Sequence, residues 1–246
     1  MEKNDYIFGI RAVAEAIEAG KYIDKVLIRK DLAGDLAREL FAKIKQYGIL
    51  TQRVPVEKLN RITRRNHQGV VALLSPVAYQ RLENIIPLIY ETGRDGLLVV
   101  LDSVTDTRNF GAIARTADCA GADAIVVPER GSASLSGDAV KTSAGALFHL
   151  PVCREKDTVS AVKFLKENGF RIIGATEKGA SPYTEADFKV PCAIVMGAED
   201  TGISPEVIRL CDDLAAIPML GHIESLNVSV AAGVMLYEAV RQRGEV

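Results

Sequence analysis

Ile217-Pro-Met-Leu-Gly-His-Ile-Glu-Ser-Leu-Asn-Val-Ser-Val-Ala-Ala-Gly-Val-Met-Leu-Tyr237 decides how the larger part of the chain is read. Leu214, Ala215, Ala216 and Ile217 form the end of a buried strand running into Pro218. A glycine-bearing loop follows, and Ser225 or Asn227 then offers a side-chain oxygen to cap a helix. From Leu226 to Leu236 only Asn227 and Ser229 are polar, so the predicted helix is apolar nearly all round and needs cover on more than one side. It is too short and too interrupted to span a bilayer, which takes about 20 apolar residues. A buried helix whose polar start faces a loop is a place for a small ligand.

Outward from this stretch, Gly96–Asp102, Ala124–Val127, Phe170–Gly174 and Cys192–Met196 are short continuous apolar runs. Together with Leu214–Ile217 they predict about five strands, separated by helical stretches at 109–120, 136–147, 157–168 and 204–211. Such strands fit a parallel sheet covered on both faces, doubly wound, with ligands at the C-terminal strand ends. Upstream, helical spacing of Ile10, Val13, Ala14 and Ile17, a strand Lys25–Arg29 and a helix through Leu36, Leu40, Phe41 and Ile44 begin a smaller α/β unit. Leu50–Val54, Val56–Ile62 and Val70–Leu74 complete it as strand, helix and strand. The predicted boundaries are residues 1–76 for this unit, 77–94 for a linker and first helix, and 95–246 for the larger domain.

The chain has 246 residues, 48% hydrophobic and 25% charged, which is ordinary for a globular protein with a substantial core. Met1-Glu-Lys-Asn-Asp5 opens polar with no apolar stretch behind it, so no signal peptide, no membrane span and a cytoplasmic location are expected. Cys119, Cys153, Cys192 and Cys211 stand far apart, and three scattered histidines add no ligand spacing, which predicts reduced, mostly buried thiols and no metal. The net charge of −2 hides an asymmetry: residues 1–75 carry 14 Lys+Arg against 9 Asp+Glu, and the remainder 16 against 23. A basic first part joined to an acidic second suggests that the first touches a polyanion. Its densest cluster is Arg61-Ile-Thr-Arg64-Arg65-Asn-His67, although basic residues also favour helix C-termini.

Three strand-end loops are rich in residues that do chemistry. In Asp102-Ser-Val-Thr-Asp-Thr-Arg-Asn109-Phe-Gly-Ala-Ile-Ala-Arg115, Asn109 is placed to cap the helix. Arg115 stands among Ile113, Ala114 and Ala117, where an arginine is costly unless it meets an anion. In Met196-Gly197-Ala-Glu199-Asp-Thr-Gly202 the glycines permit tight turns and close approach of a ligand. Glu199 either sits by the next helix start or binds a ligand's amine or orients Arg115. In the third loop capping explains one of Ser225 and Asn227, hardly both. A Ser225–His222 hydrolase lacks the G-x-S-x-G elbow, and neither G-x-G-x-x-G after a strand nor a P-loop is present.

These three segments, in this order across residues 97–243, are similar to the signature motifs of the SpoU family, SPOUT-class RNA 2′-O-ribose methyltransferases that use S-adenosylmethionine (AdoMet). Arg65-Asn-His-Gln-Gly-Val-Val71 and the unit before it resemble the family's L30-like substrate-binding domain. Within the family the two-domain pattern is most similar to bacterial 23S rRNA guanosine 2′-O-methyltransferases. The resemblance implies a C-terminal trefoil knot, which periodicity does not predict and general topology rules disfavour. It also implies a homodimer through the knot region, in accord with a last helix too apolar for one chain to cover.

By the same resemblance, backbone groups near Thr176, Gly197, Ile217, Met219 and Leu226 hold the adenine and ribose of AdoMet. The family assigns activation of the ribose hydroxyl to the arginine matching Arg115. A guanidinium stays protonated, so the alternative role is to clamp the adjacent phosphate and bring the 2′-OH into line. Asn109, Glu199, Ser225 and Asn227 would position the nucleotide and hold Arg115, and Arg61, Arg64 and Arg65 would bind RNA. The family often has proline where Thr107 stands, and losing it loosens the loop more than it threatens activity. The implied substrate is 23S rRNA. A tRNA substrate, and a catalytically silent RNA-binding assembly factor, are the alternatives.

Overall fold

The structure is a computed structural model that describes residues 6–177 and 181–244. The polar opening Met1–Asp5, on which the expectation of no signal peptide rests, lies outside the described residues. The chain divides into two compact units, Met1–Ala78 with Ser134–Gly137, and Tyr79–Ala133 with Asp138–Val246.

In the first unit the elements are β1 (Tyr6–Phe8), α1 (Ile10–Glu18), β2 (Ile23–Arg29), α2 (Asp35–Gln46), β3 (Thr51–Val54), α3 (Val56–Ile62) and β4 (Val70–Leu74). They form a four-stranded sheet ordered β1-β4-β2-β3, antiparallel except for the β2–β3 pair. Val13 and Ile17 of α1 and Leu40 and Ile44 of α2 pack with Val26, Ile28, Val70 and Ala72 in one core. The first strand, β1, escaped the sequence reading because three residues beside a glycine show no period. The short stretch Ser134–Gly137 groups with this unit, with the Ser134 hydroxyl donating to the buried Asp24 carboxylate.

The second unit contains β5 (Tyr79–Gln80), α4 (Leu82–Glu91), β6 (Leu97–Asp102), α5 (Thr107–Cys119), β7 (Ala124–Pro128), α6 (Gly137–Thr142) and β8 (Val152–Glu155). It continues with α7 (Thr158–Glu167), β9 (Arg171–Ala175), β10 (Ser181–Pro182), β11 (Cys192–Gly197), α8 (Pro205–Ile208), β12 (Asp213–Ala216) and α9 (Val228–Arg243). All pairings in its sheet are parallel, in the order β10-β12-β9-β11-β6-β7-β8-β5. The sheet thus has eight strands where about five were expected. Two of the additions, β5 and β10, are two-residue edge strands, and β8 offers only Val152 and Cys153 before Arg154 and Glu155. Every residue of β6, β7 and β11 is buried, as continuous apolar runs require when helices cover both faces.

The order of strands sets the site. From β6 the chain steps outward through β7 and β8, then crosses to β9 and returns to place β11 between β9 and β6. The direction of winding therefore reverses between β6 and β11, which opens a crevice at the C-terminal strand ends. The loops after β6, β9, β11 and β12 all leave from that end.

Two helix expectations differ from the structure. The stretch 136–147 is not one helix: α6 stops at Thr142, Ala144 and Gly145 take positive φ of 51° and 91°, and a single 3-10 turn follows at Ala146–Phe148. The last helix starts at Val228 rather than Leu226, with Asn227 as its cap, because the Asn227 side-chain oxygen accepts the Ser229 N–H. Within the chain that helix is covered by α5, by β9 and β11 and by the 3-10 turn Tyr183–Glu185, which leaves one stripe of it open. Val228, Ala232, Met235, Leu236 and Ala239 are buried, whereas Val230 and Tyr237 are 52% and 53% exposed.

Candidate active site

The segments after three strands, with the start of α9, enclose a cleft of about 310 Å3 in the second unit. That is at the small end of the roughly 300–1,000 Å3 usual for ligand pockets. Ala175, Thr176 and Glu177 come from the end of β9, Met196–Gly202 from the end of β11, Ala215, Ile217, Met219 and Glu224–Leu226 from the end of β12 and the loop after it, and Val228 and Ala231 from α9. Thr176, Gly197, Ile217, Met219 and Leu226, singled out from the sequence for a cofactor, all line it.

The wall after β11 is shaped by two glycines for different reasons. A Cβ at Gly197 would lie 2.1 Å from the Gly202 carbonyl carbon and 2.2 Å from the Ile203 nitrogen, so the backbone it admits is that of its own loop. Gly202 has a φ of 69°, in the left-handed region. Paired bonds close the turn, Gly202 N–H to Ala198 O at 2.8 Å and Ala198 N–H to Gly202 O at 3.2 Å. This holds Glu199 at the tip. The buried Asp102 carboxylate, which the sequence reading passed over as a strand end, accepts the Ser204 N–H at 2.7 Å and ties β6 to the segment after the turn.

Residues separated by up to 118 positions meet at that tip. Asn109 Nδ2 donates to Glu199 Oε1 at 2.8 Å, and Asn227 Nδ2 donates to the same oxygen at 2.6 Å. Asn227 Nδ2 also reaches Asn109 Oδ1 at 3.0 Å. Asn109 does not cap α5. That role belongs to Asp106, whose Oδ1 accepts the N–H groups of Arg108 and Asn109 at 2.8 Å each, leaving the Asn109 amide free to turn toward Glu199. Asn227 does both jobs, its oxygen capping α9 and its nitrogen closing the network. Ser225 lines the cleft beside Glu224 and is exposed.

Arg115 is placed differently from the expectation. It is exposed on α5, while Phe110, Gly111, Ile113, Ala114 and Ala117 form the buried side, and it has no hydrogen bond or ion pair among the described residues. The expectation that it needs an anion to offset burial therefore fails, since water solvates the guanidinium. Six residues beyond Asn109, it lies about 9 Å further along the helix and roughly a third of a turn round. Asn109, Glu199 and Asn227 are brought together, and Arg115 is not bonded to them.

In the first unit Arg61 lies in the last turn of α3, and Arg61, Arg64 and Arg65 are all exposed with no acidic partner among the described residues. His67 is not part of that charged surface. It is buried, with Nδ1 accepting the Gly69 N–H and Nε2 paired with Asn60 Oδ1, both at 3.0 Å. Gln68, at a φ of 53°, accepts the Ile10 N–H at 3.0 Å. Asn-His-Gln-Gly is thus a braced turn that sets the arginine loop in front of β4.

The four cysteines are free thiols. Cys153 and Cys192 are buried, and burial pushes their thiols up to about 12 and about 11 respectively, while Cys119 is exposed. Among the described residues no group of three His, Cys, Asp or Glu side chains is arranged to hold a metal ion, and no helix is long and apolar enough to cross a membrane.

A parallel sheet with a ligand-sized cleft at its switch point, overlooked by a carboxylate that two distant amides orient, defines an α/β enzyme domain working on a bound small molecule. The chain belongs to the SpoU rRNA Methylase family, whose model matches residues 96–237, and the model described as RNA 2′-O ribose methyltransferase substrate binding matches residues 6–80. A putative TrmH family tRNA/rRNA methyltransferase of Staphylococcus aureus is 38% identical over 242 residues, 98% of this chain and 97% of that one. The AdoMet-bound rRNA methyltransferase of Sinorhizobium meliloti superposes with a TM-score of 0.62 at 30% identity, over 96% of this chain and 87% of its own. The TrmH/SpoU tRNA modifying enzyme of A. aeolicus, also 30% identical, superposes with a TM-score of 0.55 over 67% of this chain and 85% of its own.

Proposed function

We propose that this RNA methyltransferase transfers a methyl group from AdoMet to the ribose 2′-OH of a guanosine in 23S rRNA, acting in the cytoplasm as a homodimer. The observation that carries the reading is the junction of Asn109, Glu199 and Asn227 on the rim of the switch-point cleft. The cleft's chemistry fits the cofactor. Ile217, Met219 and Leu226 offer an apolar slot for an adenine, backbone at Thr176 and Gly197 its polar edge, and Glu177, Glu199, Asp200 and Glu224 a negative field for a cationic ligand. When bound, AdoMet supplies an electrophilic methyl carried on a sulfonium.

The chain's own residues then have distinct tasks. Asn109 and Asn227 fix Glu199 by one oxygen, and Ser225 adds a hydroxyl on the same rim. Arg115, exposed and uncommitted, clamps the phosphate beside the target ribose. A guanidinium suits that task better than proton removal, because it stays protonated. Arg61, Arg64 and Arg65 hold RNA from the first unit. The rRNA assignment is favoured over tRNA by the first unit, since the tRNA enzyme of A. aeolicus aligns with only 67% of this chain. The exposed outer side of α9 supports the homodimer, and the family's knotted C-terminus belongs with the same reading.

Purified protein incubated with AdoMet and a 23S rRNA transcript should add one mass-mapped 2′-O-methyl group, and a tRNA pool assayed in parallel should add far less. Arg115→Ala should lower kcat/KM by about 100-fold or more while AdoMet still binds. Undiminished activity in that variant would overturn the mechanism, and transfer to tRNA alone would overturn the substrate.

A further inference from the structure

A second concavity, distinct from the cofactor cleft, lies between α5 and α6. It is an open groove of about 630 Å3, lined by Thr105, Asp106, Thr107, Arg108, Asp138, Lys141 and Thr142. The two helices are close here because α5 carries Gly111 at the contact. A Cβ there would meet Thr142 Cβ at 2.7 Å and the Ala139 carbonyl oxygen at 3.0 Å. The groove is therefore built by packing rather than left between loose loops.

Its two cations are left unpaired beside two carboxylates. Arg108 and Lys141 are exposed and have no hydrogen bond or ion pair with an acidic side chain among the described residues. Both carboxylates of the groove lie close by without pairing with them. Asp106 spends one oxygen on the N–H groups of Arg108 and Asn109, capping α5. Asp138 occupies the first turn of α6. Two uncommitted cations among three threonine hydroxyls match the donors that contact phosphates and sugars in nucleic-acid complexes. Arg108 is also the immediate neighbour of Asn109, whose amide touches Glu199.

We infer that this groove holds the sugar–phosphate backbone of the RNA strand next to the methylated nucleotide, with Arg108 and Lys141 as phosphate contacts. The inference rests on the RNA methyltransferase reading and adds residues that fix the register of the strand rather than the chemistry.

The test measures fluorescence anisotropy of a labelled single-stranded RNA from 50 to about 300 mM salt, for the full chain and for Arg108→Gln/Lys141→Gln. AdoMet binding by calorimetry serves as the check on folding. The double variant should bind RNA about tenfold more weakly, with the slope of log affinity against log salt smaller by about 1.4, near 0.7 for each lost contact to a single strand. Lys141→Glu alone should weaken binding further than Lys141→Gln. Lys163→Gln, which removes an exposed cation on α7, should leave the slope alone. An unchanged affinity and slope in the double variant, with AdoMet still bound, overturns the inference. So does an equal effect of Lys163→Gln. Inorganic phosphate that binds the parent and not the double variant, with RNA affinity equal in both, makes the groove a free-anion site and also overturns it. A parent that shows the groove-dependent slope but transfers no methyl group sinks the enzymatic reading and leaves the groove standing.

Discussion

Glu199 illustrates what single residues contribute here: its carboxylate oxygen takes two amide protons from residues that the sequence places far apart, so each loop reports on the position of the others. The geometry depends on Gly197. Adding one methyl there brings it within 2.1 Å of backbone that no rotamer change can move. Gly197→Ala should cost about 1–3 kcal/mol of stability, at the upper end because the obstacle is main chain, and it should weaken AdoMet binding as the turn opens. Chemical denaturation and calorimetry check both, and a variant with parental stability and affinity would show that the turn relaxes freely. Glu238 provides a second residue-level test. It is buried on α9 and accepts Arg241 Nε at 2.8 Å, Arg241 Nη2 at 2.7 Å and Gln242 Nε2 at 2.8 Å. The Arg241 guanidinium holds the Glu238 carboxyl below the ordinary glutamate range. The unfolded chain therefore binds the proton first as pH falls. The stabilisation is complete above the usual value of about 4.3 and is lost as pH drops through the lower folded value. In Glu238→Gln the difference in melting temperature from the parent should be largest near neutral pH and shrink below about pH 4, which a thermal series across pH 3–7 reads directly.

Helix ends separate what stabilises elements from what builds the site. Asp106 caps α5 beside the cleft, and Asp157 caps α7 by accepting the Ser160 N–H at 2.7 Å. Replacing either by alanine should cost about 1 kcal/mol. Only Asp106→Ala should also depress methyl transfer, because it frees the first turn of α5 that aims Asn109. Equal loss of activity in Asp157→Ala would mean that general stability governs the rate. Elements of this kind were legible in sequence wherever burial imposes a pattern: β4 and α3 fall at the residues expected, and β6, β7 and β11 are the continuous apolar runs. Elements without a pattern were not legible. The edge strands β5 and β10 have two residues each, and α6 unwinds at Ala144 and Gly145 because the chain turns through positive φ there. The junction of Asn109, Glu199 and Asn227 came from motif order and not from spacing, since nothing local to 109, 199 or 227 encodes that they meet. The exposure of Arg115 was hidden from the sequence for a similar reason. Small apolar neighbours imply a buried position only if the helix is covered all round, and α5 leaves that side open.

At the scale of the molecule the outstanding quantity is apolar surface. Of twelve large hydrophobic side chains exposed among the described residues, five fall in one stretch: Leu220, Ile223, Leu226, Val230 and Tyr237. Leu220 and Ile223 are 97% and 76% exposed, which is unusual for a loop that also walls a ligand cleft. Exposed apolar side chains gathered in one stretch of chain are candidates for an interaction surface. A second copy packed on the outer side of α9 would bury Val230 and Tyr237, and an isologous contact would do so twice. Because Met219 and Leu226 belong to the same loop and line the cleft, assembly and cofactor affinity should be linked: whatever orders the loop lowers the cost of closing it on AdoMet. Light scattering should therefore give about twice the chain mass of 26.6 kDa. Val230→Asp places a charge in that contact and should move the protein toward the monomer. Its AdoMet affinity should fall about tenfold and recover as protein concentration rises, a dependence that damage to the cleft itself would not show. A parent that stays monomeric at every concentration, or a monomeric variant with full affinity, would uncouple the two and leave the exposed stretch without this role.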